Sequence, residues 1–196
     1  MAKLTMEIGG VEYPLTNLTK TLNKIGKMWR KNARISLRMQ DKVNTGALYN
    51  SMPLIVGEDK GGYFVEITPQ VHYWEFVDKG VQGASRNIFS RQSESPFQFG
   101  SGKGPRGLRG AIDKWVVQKS IDGTRDAQGR FTPRKSLVFL ISRAIYNRGL
   151  KPTFFISDTL KRLKPKAMKW VKMAMVKDVA NAIRMSLSDN KNLDVK

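Results

Sequence analysis

Asn44-Thr45-Gly46-Ala47-Leu48-Tyr49-Asn50-Ser51-Met52 is where the chain changes character. Upstream, apolar residues recur at helical spacing among many lysines and arginines as far as about Val43. Downstream, Pro53-Leu54-Ile55-Val56 and Tyr63-Phe64-Val65-Glu66-Ile67 flank the polar loop Glu58-Asp59-Lys60-Gly61-Gly62. Two β-prone runs around a Gly-containing loop predict a hairpin. The stretch therefore joins a long helix to a small antiparallel sheet, which is an α+β arrangement. Gly46 is expected to form the C-terminal turn of the helix, in a conformation that a β-branched residue fits poorly.

The helix upstream starts after Pro14, with Thr16 or Asn17 as a predicted cap. Leu18, Leu22, Ile25 and Trp29 define its apolar face, continued more loosely by Ala33, Leu37 and Met39. Its other faces carry Lys20, Lys24, Lys27, Arg30, Lys31, Arg34, Arg38 and Lys42, with Asp41 the only acid from Leu15 to Val43. Like charges at i,i+3 and i,i+4 destabilise a helix unless something compensates. Two readings stand: a solvated face, or a face turned toward DNA or an acidic partner. Before the helix, Leu4 to Ile8 and Val11 to Tyr13 alternate around Gly9-Gly10, predicting a short N-terminal hairpin.

The totals bound the function. Lys and Arg number 35 against 16 Asp and Glu, 35 − 16 = +19, with pI ≈ 10.3. The excess is uneven: residues 61–100 hold only Lys79, Arg86 and Arg91 against Glu66, Glu75, Asp78 and Glu94. Such a surplus points to nucleic acid, an acidic protein surface or anionic lipid. With 40% hydrophobic residues the 196-residue chain can build a real core. Cysteine is absent and His72 is the one histidine, so disulfides, thiolate chemistry and a conventional zinc site are not expected. No apolar run approaches a membrane span and the N-terminus lacks the apolar region of a signal peptide.

Beyond the hairpin, His72, Tyr73, Trp74 and Phe76 crowd the segment from Val71 to Val77, read as a short helix or turn buried against the sheet with Gly80 as its C-cap. Residues 80–110 are loop-rich, with a possible short strand over Ser95-Pro96-Phe97-Gln98-Phe99. Gly100-Ser101-Gly102-Lys103-Gly104-Pro105-Arg106-Gly107 lacks the spacing of a nucleotide-binding loop, and Pro105 has no N–H to offer a phosphate. It is read as a basic loop. Helices are expected over roughly 107–120, marked by Leu108, Ile112, Trp115 and Val116, and from Lys135 to a C-cap at Gly149. Pro152-Thr153-Phe154-Phe155-Ile156 forms a buried connector to a last helix capped by Ser157 or Asp158. Pro165 is expected to break or restart that helix, after which Met168, Val171, Met175, Val179 and Ala182 or Ile183 share a face. Lys161, Arg162, Lys164, Lys166, Lys169, Lys172 and Lys177 lie elsewhere on it. The organisation expected is one domain over 1–188, with a hairpin at 1–14, an insertion at 81–150 and a frayed tail at 189–196.

Catalytic chemistry is hard to find in this chain. A nuclease or peptidoglycan-acting enzyme would have to draw on His72, Glu75 or Asp113, which no close carboxylate pair or nucleophile elbow supports. Neither a cofactor nor a metal is called for. The basic helices fit electrostatic binding without base readout.

The order of these features resembles the tail-completion, or neck, proteins of long-tailed phages, the group of the lambda minor tail protein Z. The residues that carry the likeness are Thr45-Gly46-Ala47-Leu48 with Ser51 after the first helix, Tyr73-Trp74-Glu75-Phe76 leading to Gly80, and Pro152-Thr153-Phe154-Phe155 before the last helix. Ser136 to Ile145 with Gly149 is similar to a longer subgroup with two extra helices. The resemblance implies a long N-terminal helix packed on a small antiparallel sheet, two inserted helices and a long C-terminal helix. It implies no enzymatic activity. It further implies a homo-oligomeric ring in the virion neck, assembled in the host cytoplasm between a portal-side adaptor and the tail proteins. Non-specific contact with DNA in the channel is expected, and no membrane. On that reading the contacts to DNA or an acidic partner fall to Lys20, Lys24, Lys27, Arg30, Lys31, Arg34, Arg38, Lys103, Arg106, Arg109, Lys166, Lys169 and Lys172. The structural or interface positions are Gly46, Leu48, Tyr73, Trp74, Phe76, Gly80, Phe97, Phe99, Pro152, Phe154 and Phe155. Ile88-Phe89 and Phe97 to Phe99 are the apolar segments expected to meet neighbouring subunits. The alternative is a basic nucleic-acid-binding protein acting in packaging or regulation.

Overall fold

Leu18, Leu22, Ile25, Trp29, Ala33 and Leu37 are all buried along one side of α1 (Thr16–Met39). This computed structural model describes residues 4–100, 104–123, 125 and 127–191, the last three by backbone alone. Its contacts divide the chain into two compact units, Met1–His72 with Phe155–Lys196, and Tyr73–Phe154. Helices and small antiparallel ladders together make an α+β fold, as read from the sequence.

In the first unit, β1 (Thr5–Ile8) pairs antiparallel with β2 (Val11–Pro14). Gly9 and Gly10 both take positive φ (59° and 82°), as the tight turn between right-twisted strands requires. The hairpin is tied down at its open end. Leu15 N–H donates to Leu4 O at 2.8 Å, and Leu4, Leu15, Leu18 and Leu22 form one buried cluster. The second hairpin, β3 (Ile55–Asp59) and β4 (Gly62–Glu66), closes through Lys60-Gly61, where Gly61 N–H donates to Asp59 Oδ1 at 2.8 Å. Val56, Tyr63 and Val65 pack on the leucine cluster. Tyr63 O–H donates to Thr5 O at 2.7 Å, joining the two hairpins. Burial, and secondarily the Glu58 carboxylate, raise its phenol above the ordinary tyrosine range. Gly26 is buried on α1 because a Cβ there would run into Leu54 and Val65 of the second hairpin.

α6 (Ser157–Lys191) runs antiparallel to α1. Trp29 Nε1–H donates to Ile156 O at 3.2 Å, near the start of α6. Toward the other end, Asp178 meets the first turn of α1. Leu163, Ala174, Asp178 and Ala182 are buried on the inner side of α6.

Several local expectations change. α1 ends at Met39, and the left-handed residue that closes it is Asp41 (φ 50°), not Gly46. Asp41 N–H donates to Arg38 O at 3.0 Å and Lys42 N–H to Leu37 O at 2.9 Å, a Schellman closure. Gly46 does take a left-handed conformation (φ 79°), but it opens the single turn α2 (Ala47–Asn50). Neither Thr16 nor Asn17 caps α1; the preceding residue is Leu15, and no side chain of that segment bonds the free amides. Pro165 lies inside a continuous α6. It removes one N–H donor, but Lys161, whose carbonyl loses the bond, is exposed to water. α6 also continues through Lys191, so the tail read from 189 is helical for its first three residues, and 192–196 lie outside the described residues. Of the face shared by Met168, Val171, Met175, Val179 and Ala182, Val171 and Met175 pack on the leucine cluster and Ala182 is buried, whereas Met168 is exposed.

The second unit contains α3 (Trp74–Lys79), β5 (Val81–Gln82), α4 (Arg109–Gln118), α5 (Arg134–Arg148) and β6 (Gly149–Leu150). β5 pairs antiparallel with β6. Gly80 and Gly149 close α3 and α5 at φ 72° and 82°, and a Cβ on either would collide with backbone atoms. The strand expected over 95–99 is only an isolated bridge from Gln98 to Gln82, with Phe99 N–H donating to Gln82 O at 2.9 Å. The aromatic segment is not deeply buried: Trp74 is half-buried and Phe76 exposed, whereas Asp78 beside them is fully buried. Gln92, 0% exposed, ties this unit together. Its Oε1 accepts from Ile88 N–H (3.0 Å) and Phe89 N–H (3.1 Å). Its Nε2 donates to Val81 O and Arg148 O, both at 2.7 Å.

Candidate functional site

The apolar face of α1 is committed to the core, so helical periodicity sends its cations to the opposite side. Lys20, Lys24, Lys27, Lys31 and Arg38 are exposed and Arg30 and Arg34 half-buried, so all seven lie along the outer side. From Lys20 to Arg38 the row spans about 27 Å at 1.5 Å per residue, or one charge every ~4.5 Å. One strand of B-DNA carries a phosphate every ~3.4 Å. The two charge densities are of the same order.

The arginines are held in place by the stretch that follows the helix. Arg34 Nε–H donates to Tyr49 O at 2.9 Å, and Arg30 reaches Met52 O at 3.5 Å. The guanidinium groups of Arg34 and Arg38 lie 5.0 and 4.8 Å from the centre of the Tyr49 ring. Stacking on a π-face preorganises a guanidinium while leaving N–H donors for an anion. A shallow depression of about 320 Å³ opens there among Lys27, Arg30, Lys31, Arg34 and Arg38. Toward the other end, Lys24 and Lys166 sit 4.7 and 5.1 Å from the Trp170 ring, so α6 adds charge beside the row of α1. Lys169 and Lys172 are exposed further along α6.

Ion pairs lie elsewhere, among them Lys79–Glu75 (2.8 Å), Arg91–Glu94 (3.1 Å) and Arg134–Asp113 (2.9 Å). No carboxylate among those residues neutralises the row on α1. Asp178, the acid nearest the start of α1, is instead spent on its backbone. Asp178 Oδ1 accepts from Asn17 N–H (3.0 Å) and Asn17 Nδ2 (2.7 Å), and Oδ2 from Leu18 N–H (2.7 Å).

Of the other sequence-derived contact residues, Arg106 and Arg109 belong to the second unit, where Arg109 lies 5.1 Å over Phe139. Lys103 falls outside the described residues. Among the interface positions, Leu48, Gly80, Pro152 and Phe155 are buried, Gly46, Tyr73 and Trp74 half-buried, and Phe76 exposed. Phe97, expected to meet a neighbour, packs edge-on against Phe76 at 4.4 Å, and Phe99 against Tyr146 at 5.8 Å. Phe154 carries Arg91 at 3.8 Å over its ring. Ile88 is exposed and Phe89 half-buried.

Sequence reasoning passed over Tyr49, Trp170 and Asp178. For Tyr49 a signal existed, an aromatic ten residues (49 − 39) beyond an arginine-rich helix end at Met39. Asp178 carried none, because its partner lies 160 residues away.

The arrangement supplies charge and stacked arginines. It has no nucleophile with a base beside it, and no group of three or more His, Asp or Glu able to hold a metal occurs among the described residues. Among the described residues no helix is long and apolar enough to cross a membrane. Comparison with known proteins found no matching family model, and neither a curated protein nor a solved structure is detectably similar.

Proposed function

We propose that the chain is a structural subunit of a phage neck, one copy in a ring that joins the DNA-filled head to the tail and completes the tail, without catalysis. The observation that carries this reading is the seven-cation row of α1, left without carboxylate partners among the described residues and braced by Tyr49 and Met52. Contacts of that kind hold phosphates in any sequence, because none reads a base edge. In a ring whose lumen passes DNA they would let the duplex move while holding it centred. The same row also suits acidic faces of the portal-side adaptor or of tail proteins. The ordered marks around Thr45 to Leu48, Tyr73 to Gly80 and Pro152 to Phe155 add independent support.

The test is a particle lacking the protein. Deleting its gene from the phage that carries it should yield filled heads and separate tails by electron microscopy, and adding purified protein should join them. Tailed, infectious particles assembled without it would overturn the proposal.

The cation row also favours a second reading, a nucleic-acid-binding protein acting in packaging or regulation. That reading requires tight duplex or single-strand binding by the isolated chain, with log K falling by about 0.9 per phosphate contact against log salt on duplex. No measurable binding near ~50 mM salt, where such contacts are strongest, would remove it.

A further inference from the structure

α6 carries two apolar stripes, and the core uses only one. Leu163, Ala174 and Ala182 face inward with Asp178. On the far side Met173, Val176, Ala180, Ile183 and Leu187 follow one another at +3, +4, +3 and +4, which is the spacing of a single helix face. All five are exposed, Val176 at 69% and Leu187 at 59%. Helix-in-groove and helix-on-helix recognition use anchors at this spacing. An apolar row left open beside a formed core marks a docking surface.

Charge identifies the occupant. Lys169, Lys172, Lys177 and Arg184 are exposed along the stripe and its borders. Between Lys169 and Ser188 the only acid is Asp178, which is buried and bonded to the first turn of α1. A second copy laying its own stripe here would bring four cations against four. A segment with acidic borders would pair with them instead.

We propose that the outer stripe of α6 docks an acidic amphipathic segment of a partner protein, a helix with apolar residues at i, i+3 or i+4 and i+7 bordered by Asp and Glu. The apolar row supplies the burial and Met173 adapts to the partner's side chains. The lysines set orientation and association rate. The stripe takes such a segment whether or not the chain acts in a neck.

The test uses the full chain and labelled synthetic helices, read by fluorescence anisotropy. One helix has Leu at the anchor positions and Glu on both borders. A second has the same composition in shuffled order, and a third has Lys in place of Glu. The patterned acidic helix is expected to bind saturably, at least about tenfold more tightly than either control. Val176→Ser/Ile183→Ser/Leu187→Ser should weaken it by at least about tenfold, since exposed anchors at an interface centre carry most of the affinity. Circular dichroism should be unchanged, because all three side chains already face water. Lys172→Gln/Lys177→Gln should flatten the salt dependence.

Equal binding of the shuffled acidic helix, or unchanged affinity of the triple variant, overturns the proposal. So does a concentration-dependent dimer that the triple variant abolishes in sedimentation, which would assign the stripe to a second copy. Binding to phosphatidylglycerol vesicles that the same variant abolishes would assign it to lipid, and is equally fatal. Gene deletion leaving normal particles while the helix still binds sinks only the neck reading; loss of helix binding with a failed neck sinks only this one.

Discussion

Asp178→Ala is the perturbation that most directly tests the packing of α6 on α1. Asp178 is 3% exposed and accepts three hydrogen bonds from the first turn of α1, two of them from backbone amides. Those amides are among the four that any helix leaves without an internal partner. α1 has no side-chain cap of its own and no acid in its first turn. Removing the carboxylate therefore deletes the cap, worth about 0.5–2 kcal/mol, and the favourable interaction with the helix dipole, worth up to about 2 kcal/mol when partly buried. It also leaves the Leu18 N–H buried without its acceptor, a cost of about 1–3 kcal/mol. These terms overlap, so a loss of about 3–4 kcal/mol is expected, a large share of the ~5–15 kcal/mol typical of a whole domain. Asp178→Asn keeps the shape and one acceptor oxygen and should lose about half as much. Urea unfolding followed by circular dichroism gives the stability change. Amide exchange at Asn17 and Leu18 locates it. The neighbouring exposed Lys177→Ala should move stability by less than about 0.5 kcal/mol. If Asp178→Ala behaves like Lys177→Ala, with protection at Asn17 and Leu18 intact, the carboxylate does not hold the helix start and the reasoning fails.

Gln92→Ala removes all four hydrogen bonds that Ile88, Phe89, Val81 and Arg148 make to one side chain, and should cost the second unit about 3–5 kcal/mol; near-wild-type exchange at Ile88 and Phe89 would contradict this. Gly26→Ala drives a methyl into Leu54 and Val65 and should cost about 1–3 kcal/mol. Because the obstacle is a flexible side chain, Leu54→Ala should recover part of that loss, and absence of rescue in the double-mutant cycle counts against the close approach. Tyr63 has its phenol raised above the ordinary tyrosine value of 10.0, chiefly by burial, so the folded state keeps the proton longer than the unfolded chain does. Its contribution is complete below that value and is lost as pH rises beyond it. Tyr63→Phe should remove this part of the alkaline decline in stability, and an identical alkaline limb in wild type and variant would exclude the effect.

Local chemistry was readable wherever partner and signal are close in sequence. The apolar side chains buried along α1 show as a single period, and Gly9-Gly10 specifies its turn because two consecutive positive φ angles favour glycine. Gly80 and Gly149 were legible as helix ends for a similar reason. The errors have physical causes. Asp41 closes α1 in a conformation that short polar side chains tolerate, so the conspicuous Gly46 drew the assignment away from it. Pro165 signals a break or restart by propensity, yet the helix runs through it where Lys161, one turn earlier, is exposed. On α6 the inner and outer stripes are both apolar, and periodicity alone cannot say which faces the core. Met168 shares the helical period of Val171 and Met175 yet is exposed, while Ala174 is buried. For the candidate site, the row of cations was visible in full, but not what braces it. Tyr49 and Trp170 act through tertiary contacts, and the carboxylate of Asp178 reaches its amides only once α6 has folded back along α1.

That last contact bears on the order of events during synthesis. Leu18 leaves the ribosome 160 residues ahead of the aspartate that caps it. At roughly 5–20 residues per second the delay is about 8–32 s. Throughout that interval the start of α1 lacks its cap, its leucine face lacks α6, and its cations repel one another. The first unit therefore cannot close from its N-terminal portion alone; the second unit, made in between, has all its own residues before Phe155 emerges. A nascent chain stopped before residue 178 exposes a basic amphipathic segment to whatever polyanion is nearby. For this fold, synthesis of α6 as far as Asp178 is what supplies the start of α1 with its cap.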